Sequence, residues 1–65
     1  MIDYATKIKE YREKMFLTQI ELAKILGVGI NNVTRWENGK FEPTIKIKKK
    51  LFKLFIEAGM KVEDN

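Results

Sequence analysis

Four side chains lying between two glycines carry most of the chemical content of this chain. Asn31, Asn32, Thr34 and Arg35 fall within Ile30-Asn31-Asn32-Val33-Thr34-Arg35-Trp36-Glu37, preceded by Gly29 and followed by Asn38-Gly39. All four can donate or accept hydrogen bonds, and at least three can face outward together if the stretch is helical. Their chemistry is recognition rather than bond-making. A guanidinium fork bridges two acceptors at once, and a carboxamide offers a donor beside an acceptor. The chain has no histidine and no cysteine, which removes imidazole catalysis, thiol nucleophiles, disulfides and the usual zinc sites. Glu10, Glu13 and Glu21 are spaced like solvated helix charges, and no glycine-rich loop is placed to cradle a phosphate. No enzyme, metal or cofactor is expected.

Two short helices joined by a tight turn must hold those residues in place. Thr18 with Glu21 three residues later forms a capping box, and Ile20, Leu22, Ala23, Ile25 and Leu26 then recur at helical spacing. The spacing predicts a helix over about Gln19 to Leu26, stopped at Gly27. After Val28 and Gly29 comes the second helix, Ile30 to Glu37. So brief a connection forces a large crossing angle and a small shared core. Leu22, Leu26, Val28, Val33 and Trp36 are spaced to fill it, with small Ala23 where the helices touch.

An earlier helix is expected from about Tyr4 to Met15, capped by Asp3, with Ala5, Ile8, Tyr11 and Met15 on its inner face. Lys40-Phe41-Glu42-Pro43 reads as a loop. Thr44 then caps a last helix running to about Ala58 and ended by Gly59. On its wheel Lys46, Lys49, Lys50, Lys53 and Glu57 share one side, and Ile47, Leu51, Leu54, Phe55 and Ala58 another. Ile45, Phe52 and Ile56 widen the apolar side beyond what a monomer needs, so part of it is expected to meet another chain. Lys48, near that side, is expected to snorkel out of it. Met60 to Asn65 reads as a frayed tail.

The ordered set Leu17-Thr18-Gln19-Ile20-Glu21-Leu22-Ala23-Lys24, Gly27-Val28 and Val33-Thr34-Arg35-Trp36-Glu37-Asn38-Gly39 resembles the helix-turn-helix of the lambda-repressor-like family, also called Cro-like or XRE. With Arg12 before it and Pro43 after it, the resemblance covers about residues 7 to 55. It implies an all-α, compact four- to five-helix lambda-repressor-like domain, here residues 1–65 as one unit with the helix-turn-helix at about 18–38. It also implies that Arg12 pairs with Glu37, tying the first helix to the end of the second motif helix. Three positions depart from the pattern, one of them Lys48, which stands where the family has leucine. Phe16 stands where the family has a helix-ending glycine, and a bulky side chain takes a positive φ only at a cost. The first helix is therefore expected to end by another route, with the ring packed under the turn. Gly29 stands where the family has a serine or threonine cap.

The major groove of B-DNA admits one helix and displays a distinct donor and acceptor pattern for each base pair. Arginine bridges the two acceptors of guanine, asparagine pairs with adenine, and an apolar group covers the thymine methyl. By position in the family motif, Ile30, Asn31 and Arg35 are implied to face base edges. Gln19, Asn32, Thr34, Asn38 and Lys40 are implied to meet the sugar-phosphate chain, which positions without specifying. One helix reads few base pairs, so the implied partner is double-stranded DNA, through a palindromic operator bound by a homodimer. The biological role the resemblance implies is transcriptional repression. A protein-interaction or antitoxin-like module using the apolar last helix is the alternative.

Composition fits both readings. The net charge is +4, and the segment from Lys40 to Lys53, with six lysines against Glu42, alone carries +5. No run approaches the roughly 18 apolar residues of a membrane span. Met-Ile-Asp-Tyr lacks the basic-then-apolar order of a signal peptide. With cysteine absent, a reducing cytoplasm is the expected setting. No membrane and no small-molecule ligand is inferred.

Overall fold

Each helix begins where a residue in extended conformation, polar in three cases and glycine in the fourth, precedes the first turn. In the computed structural model, which describes residues 3–62, those starts give α1 (Tyr4–Lys14), α2 (Gln19–Leu26), α3 (Ile30–Glu37) and α4 (Ile45–Glu57). No strand is formed among the described residues. Asp3 caps α1, accepting from the Thr6 backbone N–H at 3.2 Å and from its hydroxyl at 2.8 Å. Thr18 and Glu21 close both halves of the capping box: the Glu21 N–H donates to Thr18 Oγ1 at 3.1 Å, and the Thr18 N–H to Glu21 Oε1 at 2.8 Å. Gly29 and Thr44 hold the corresponding places before α3 and α4 without a side-chain hydrogen bond. Thr44 thus sits at the predicted cap but does not cap through its hydroxyl.

All four helices end in the same way. A left-handed residue closes the last turn, and its own N–H and that of the next residue fold back onto that turn. The pairs are Phe16 to Glu13 O with Leu17 to Arg12 O, Gly27 to Lys24 O with Val28 to Ala23 O, Gly39 to Trp36 O with Lys40 to Arg35 O, and Gly59 to Ile56 O with Met60 to Phe55 O. This is the Schellman arrangement, which satisfies otherwise orphaned carbonyls. Three of the left-handed residues are glycines; the fourth is Phe16, at φ +57°. The prediction that Phe16 forces a different helix end is therefore wrong. The chain takes the ordinary route and accepts the strain, and the ring is 93% exposed rather than packed under the turn.

The core forms where the faces of all four helices converge. Ile8 and Tyr11 from α1, Leu22, Ala23 and Leu26 from α2, Val33 and Trp36 from α3, and Ile47, Leu51 and Phe55 from α4 are buried. Tyr11 and Phe55 meet with ring centroids 5.8 Å apart. α3 packs against both α1 and α2, and α4 against α2. Lys50 links α4 to α2 a second time, its Nζ donating to the Leu26 carbonyl at 3.4 Å. Val28, Leu54 and Ala58 pack against the core half-buried, while Met15, predicted to face inward, is exposed.

The end of the chain corrects the reading of a frayed tail. Met60 and Val62 are buried in the core. The reason lies in the reversal at Gly59: residue 60 occupies the position whose side chain a Schellman turn swings back toward the helix it ends. Residues 63–65 of that predicted tail lie outside the described residues. Lys48 behaves as the snorkel expected of it, reaching Glu42 at 2.8 Å with its ammonium 5.1 Å from the Tyr4 ring centroid. No described helix is long and apolar enough to cross a membrane.

Candidate nucleic-acid interface

The candidate surface is the outer face of α3, and its stability comes from what lies behind it. Arg12 Nε donates to Glu37 Oε2 at 2.8 Å and Arg12 Nη2 to Glu37 Oε1 at 3.1 Å, a two-pronged ion pair. The remaining prong, Nη1, donates to the Leu17 carbonyl at 3.1 Å. The Arg12–Glu37 pair implied by the resemblance is thus formed, and it fastens α1, the α1–α2 turn and the end of α3 together. The Glu37 side chain is only 6% exposed and that of Arg12 18%, so the pair is largely shielded from water. Burial pushes the Glu37 carboxyl up, but hydrogen bonds from Arg12 and Gln19 outweigh it and hold the net value below the ordinary carboxylate range.

Gln19 extends this network across the motif. Its Nε2 donates to Glu37 Oε1 at 3.1 Å, and its Oε1 accepts from Thr34 Oγ1 at 3.0 Å. The first residue of α2 therefore braces the last two turns of α3. Sequence reasoning placed Gln19 and Thr34 at the sugar-phosphate chain and missed this link between them. Both are half-buried. Each keeps capacity for an outside partner, Gln19 through its second amide N–H and Thr34 through hydroxyl lone pairs.

Forward of the brace, the side chains are open. Ile30, Asn31, Arg35, Asn38 and Lys40 are exposed, and Asn32 is half-buried. Asn31, Arg35 and Asn38 recur at four and then three residues, so they share one stripe. The structure therefore brings Asn31 and Arg35 onto one face, with Asn38 and Lys40 beside them at the chain reversal, whereas Ile30, also exposed, lies on the neighbouring stripe with Thr34 and Glu37. Asn32 lies apart, its amide nitrogen 3.9 Å from where a side-chain carbon on Gly29 would sit. An eight-residue helix is about 12 Å long, close to the width of a B-DNA major groove.

One further contact was not predicted. The Arg35 guanidinium carbon stands 5.7 Å from the centroid of the Phe41 ring, within reach of a cation–π attraction. No spacing rule announced it, because the residue a helix-ending reversal returns to the last turn is the one directly after the left-handed glycine, here Lys40, and Phe41 lies one further on.

Comparison with known proteins agrees with this geometry. A family model described as helix-turn-helix matches residues 8–56. An uncharacterized HTH-type transcriptional regulator of Archaeoglobus fulgidus is 41% identical over 59 residues, covering 91% of this chain and 79% of the relative. Another such regulator, from Methanocaldococcus jannaschii, is 43% identical over 58 residues, covering 89% of this chain and 83% of its own length. No solved structure gives a significant match.

Proposed function

The chain belongs to the lambda-repressor-like helix-turn-helix family, and from that premise we propose that it regulates transcription by sequence-specific binding of double-stranded DNA. α3 enters the major groove with Asn31, Arg35 and Ile30 toward base edges. Gln19, Asn32, Thr34, Asn38 and Lys40 meet the flanking sugar-phosphate chain. The observation that carries this reading is the contrast across α3. Its rear is pinned by the shielded Arg12–Glu37–Gln19–Thr34 network, while Asn31 and Arg35 on its front stand exposed. A rigid rod with free donors is what base reading requires.

The protein acts as a homodimer on a palindromic operator, and its effect is repression. One eight-residue helix reads too few base pairs for useful specificity, and two half-sites about one helical turn apart supply the rest. The exposed stripe Ile45, Phe52 and Ile56 on α4 is the surface for the second copy. The same stripe supports a second reading, an adaptor whose main partner is another protein.

Selection of duplexes from a random pool by the purified protein separates the two. The proposal expects an enriched palindromic motif and binding that weakens steeply with salt. In the enriched duplex, Arg35→Ala loses about 1–3 kcal/mol and relaxes the preference at one base pair, whereas Lys40→Ala weakens all sequences about equally. An adaptor enriches no motif and is insensitive to both changes.

A further inference from the structure

We propose that Phe41 is a positioning residue for Arg35, a platform that sets the direction of the guanidinium before DNA arrives and so sharpens the choice of base. The inference rests on the DNA-binding reading above and deepens it.

Four observations converge on the ring. First, the Arg35 guanidinium lies over it at 5.7 Å from the centroid. Second, Phe41 is 60% exposed and borders an open groove of about 260 Å³ with Tyr4, Trp36 and Glu42 instead of filling the core, so packing does not account for its placement. Third, that placement is fixed by the backbone. Gly39 at φ +77° turns the chain, and the Lys40 N–H bonds back to the carbonyl of Arg35 itself at 3.2 Å. The residue after Lys40 is thereby delivered beside the residue whose carbonyl closes the turn. Fourth, Arg35 forms no ion pair with a carboxylate among the described residues, so no described carboxylate competes with the ring for its charge.

The chemistry suits the task. An arginine side chain is long and loses much rotamer freedom when it is fixed in a complex. A carboxylate restraining it would occupy the N–H donors that guanine needs. An aromatic face attracts the cation through its quadrupole and leaves the N–H edges unspent. The fork is then already aimed when it meets the O6 and N7 acceptors of guanine.

The test is a set of variants on the duplex enriched by wild-type protein. Phe41→Leu keeps apolar bulk and removes the π face, and Phe41→Trp keeps the face. Phe41→Leu is expected to lower affinity for the enriched duplex about two- to fivefold. It flattens the preference at the one base pair sensitive to Arg35→Ala and leaves binding to an unrelated duplex unchanged. Phe41→Trp retains the preference. In an Arg35→Ala background Phe41→Leu has no further effect, because the ring acts only through the arginine. Loss of the upfield ring-current shift of the Arg35 δ-methylene protons in free Phe41→Leu reports the contact without DNA, and circular dichroism confirms the fold. If wild type selects a duplex but Phe41→Leu keeps its full base preference, or if its effect persists without Arg35, the inference is overturned and the DNA reading stands. If wild type selects no duplex, the DNA reading falls instead, and the proton shift still tells whether ring and guanidinium associate.

Discussion

Phe16 holds a left-handed backbone conformation with its ring almost wholly in water, so it combines local strain with unburied apolar area. The left-handed conformation costs a residue with a side chain about 1–2 kcal/mol. Glycine removes that strain but gives back part of the gain through the freer unfolded chain. Phe16→Gly is expected to raise stability by about 0.5–1 kcal/mol, read as a higher melting temperature. A lower melting temperature would mean that the ring does something for the free fold. Glu37 is the opposite case, a residue whose neighbours all depend on it. Glu37→Gln leaves a largely buried guanidinium without its counter-charge and is expected to cost about 2 kcal/mol or more in a urea titration. The pH dependence follows from the direction of its titration. Because its folded value lies below the ordinary 4.5, its contribution is present above that value and is lost as the pH falls through the folded one. The hydrogen-bonded carboxyls of Asp3 and Glu21 are shifted in the same direction. Tyr11 limits the other end. Burial raises its phenol above the usual 10.0, so its contribution holds below that pH and fades above it. Urea midpoints are therefore expected to be flat through neutrality and to fall in acid, with a smaller acid limb in Glu37→Gln.

At the level of helices, α3 is the least well begun. Gly29 supplies no side-chain hydrogen bond, and a side-chain carbon there would meet only the Asn32 amide nitrogen at 3.9 Å, an ordinary contact, at a backbone angle of −76°. Gly29→Ser is expected to stabilise the fold by a few tenths of a kcal/mol, up to about 1, through a new cap and a stiffer unfolded chain. Thermal melts check the gain; a loss would show that the α2–α3 turn needs glycine for another reason. Helix positions were well legible in the sequence because caps and reversals are local: Asp3, Thr18, Gly27, Gly39 and Gly59 each mark a boundary with nearby residues alone. What the sequence hid was non-local. That Gln19 binds Glu37 and Thr34 rather than only facing outward depends on how α2 crosses α3, a tertiary fact that no residue spacing encodes. Met60 and Val62 escaped notice for a related reason, since two apolar residues after a glycine look like a tail until a core exists to receive them. Arg12 with Glu37 was found through resemblance, not periodicity.

Across the whole molecule the limiting quantity is size. Sixty-five residues bury a modest core, and the stability left over is of the order of a few kcal/mol. A bound partner therefore changes much. An operator duplex at about 100 times its dissociation constant is expected to add about 2.7 kcal/mol to the fold, visible as a raised melting temperature that declines as salt is added. Sedimentation should show two chains per palindromic duplex. A half-site spacing near one helical turn fits a body whose longest extent is 29 Å. Ile45→Glu and Phe52→Glu together should leave single-site contacts intact and abolish two-chain occupancy. Unchanged stoichiometry would move the subunit contact elsewhere.

The repeated hydrogen-bonded reversal at all four helix ends has a bearing on how such a chain can diverge. Each reversal fixes the exit direction of its helix, and one inserted residue turns everything downstream by about 100°. Between Phe16 and Gly39 three such joints stand within two dozen residues. A chain of this design can thus exchange its exposed side chains along that span, yet hardly alter its residue count without disturbing the buried ones. On the proposed function, a new target site would be reached by repainting the rod, whereas lengthening it would point the rod away from the groove.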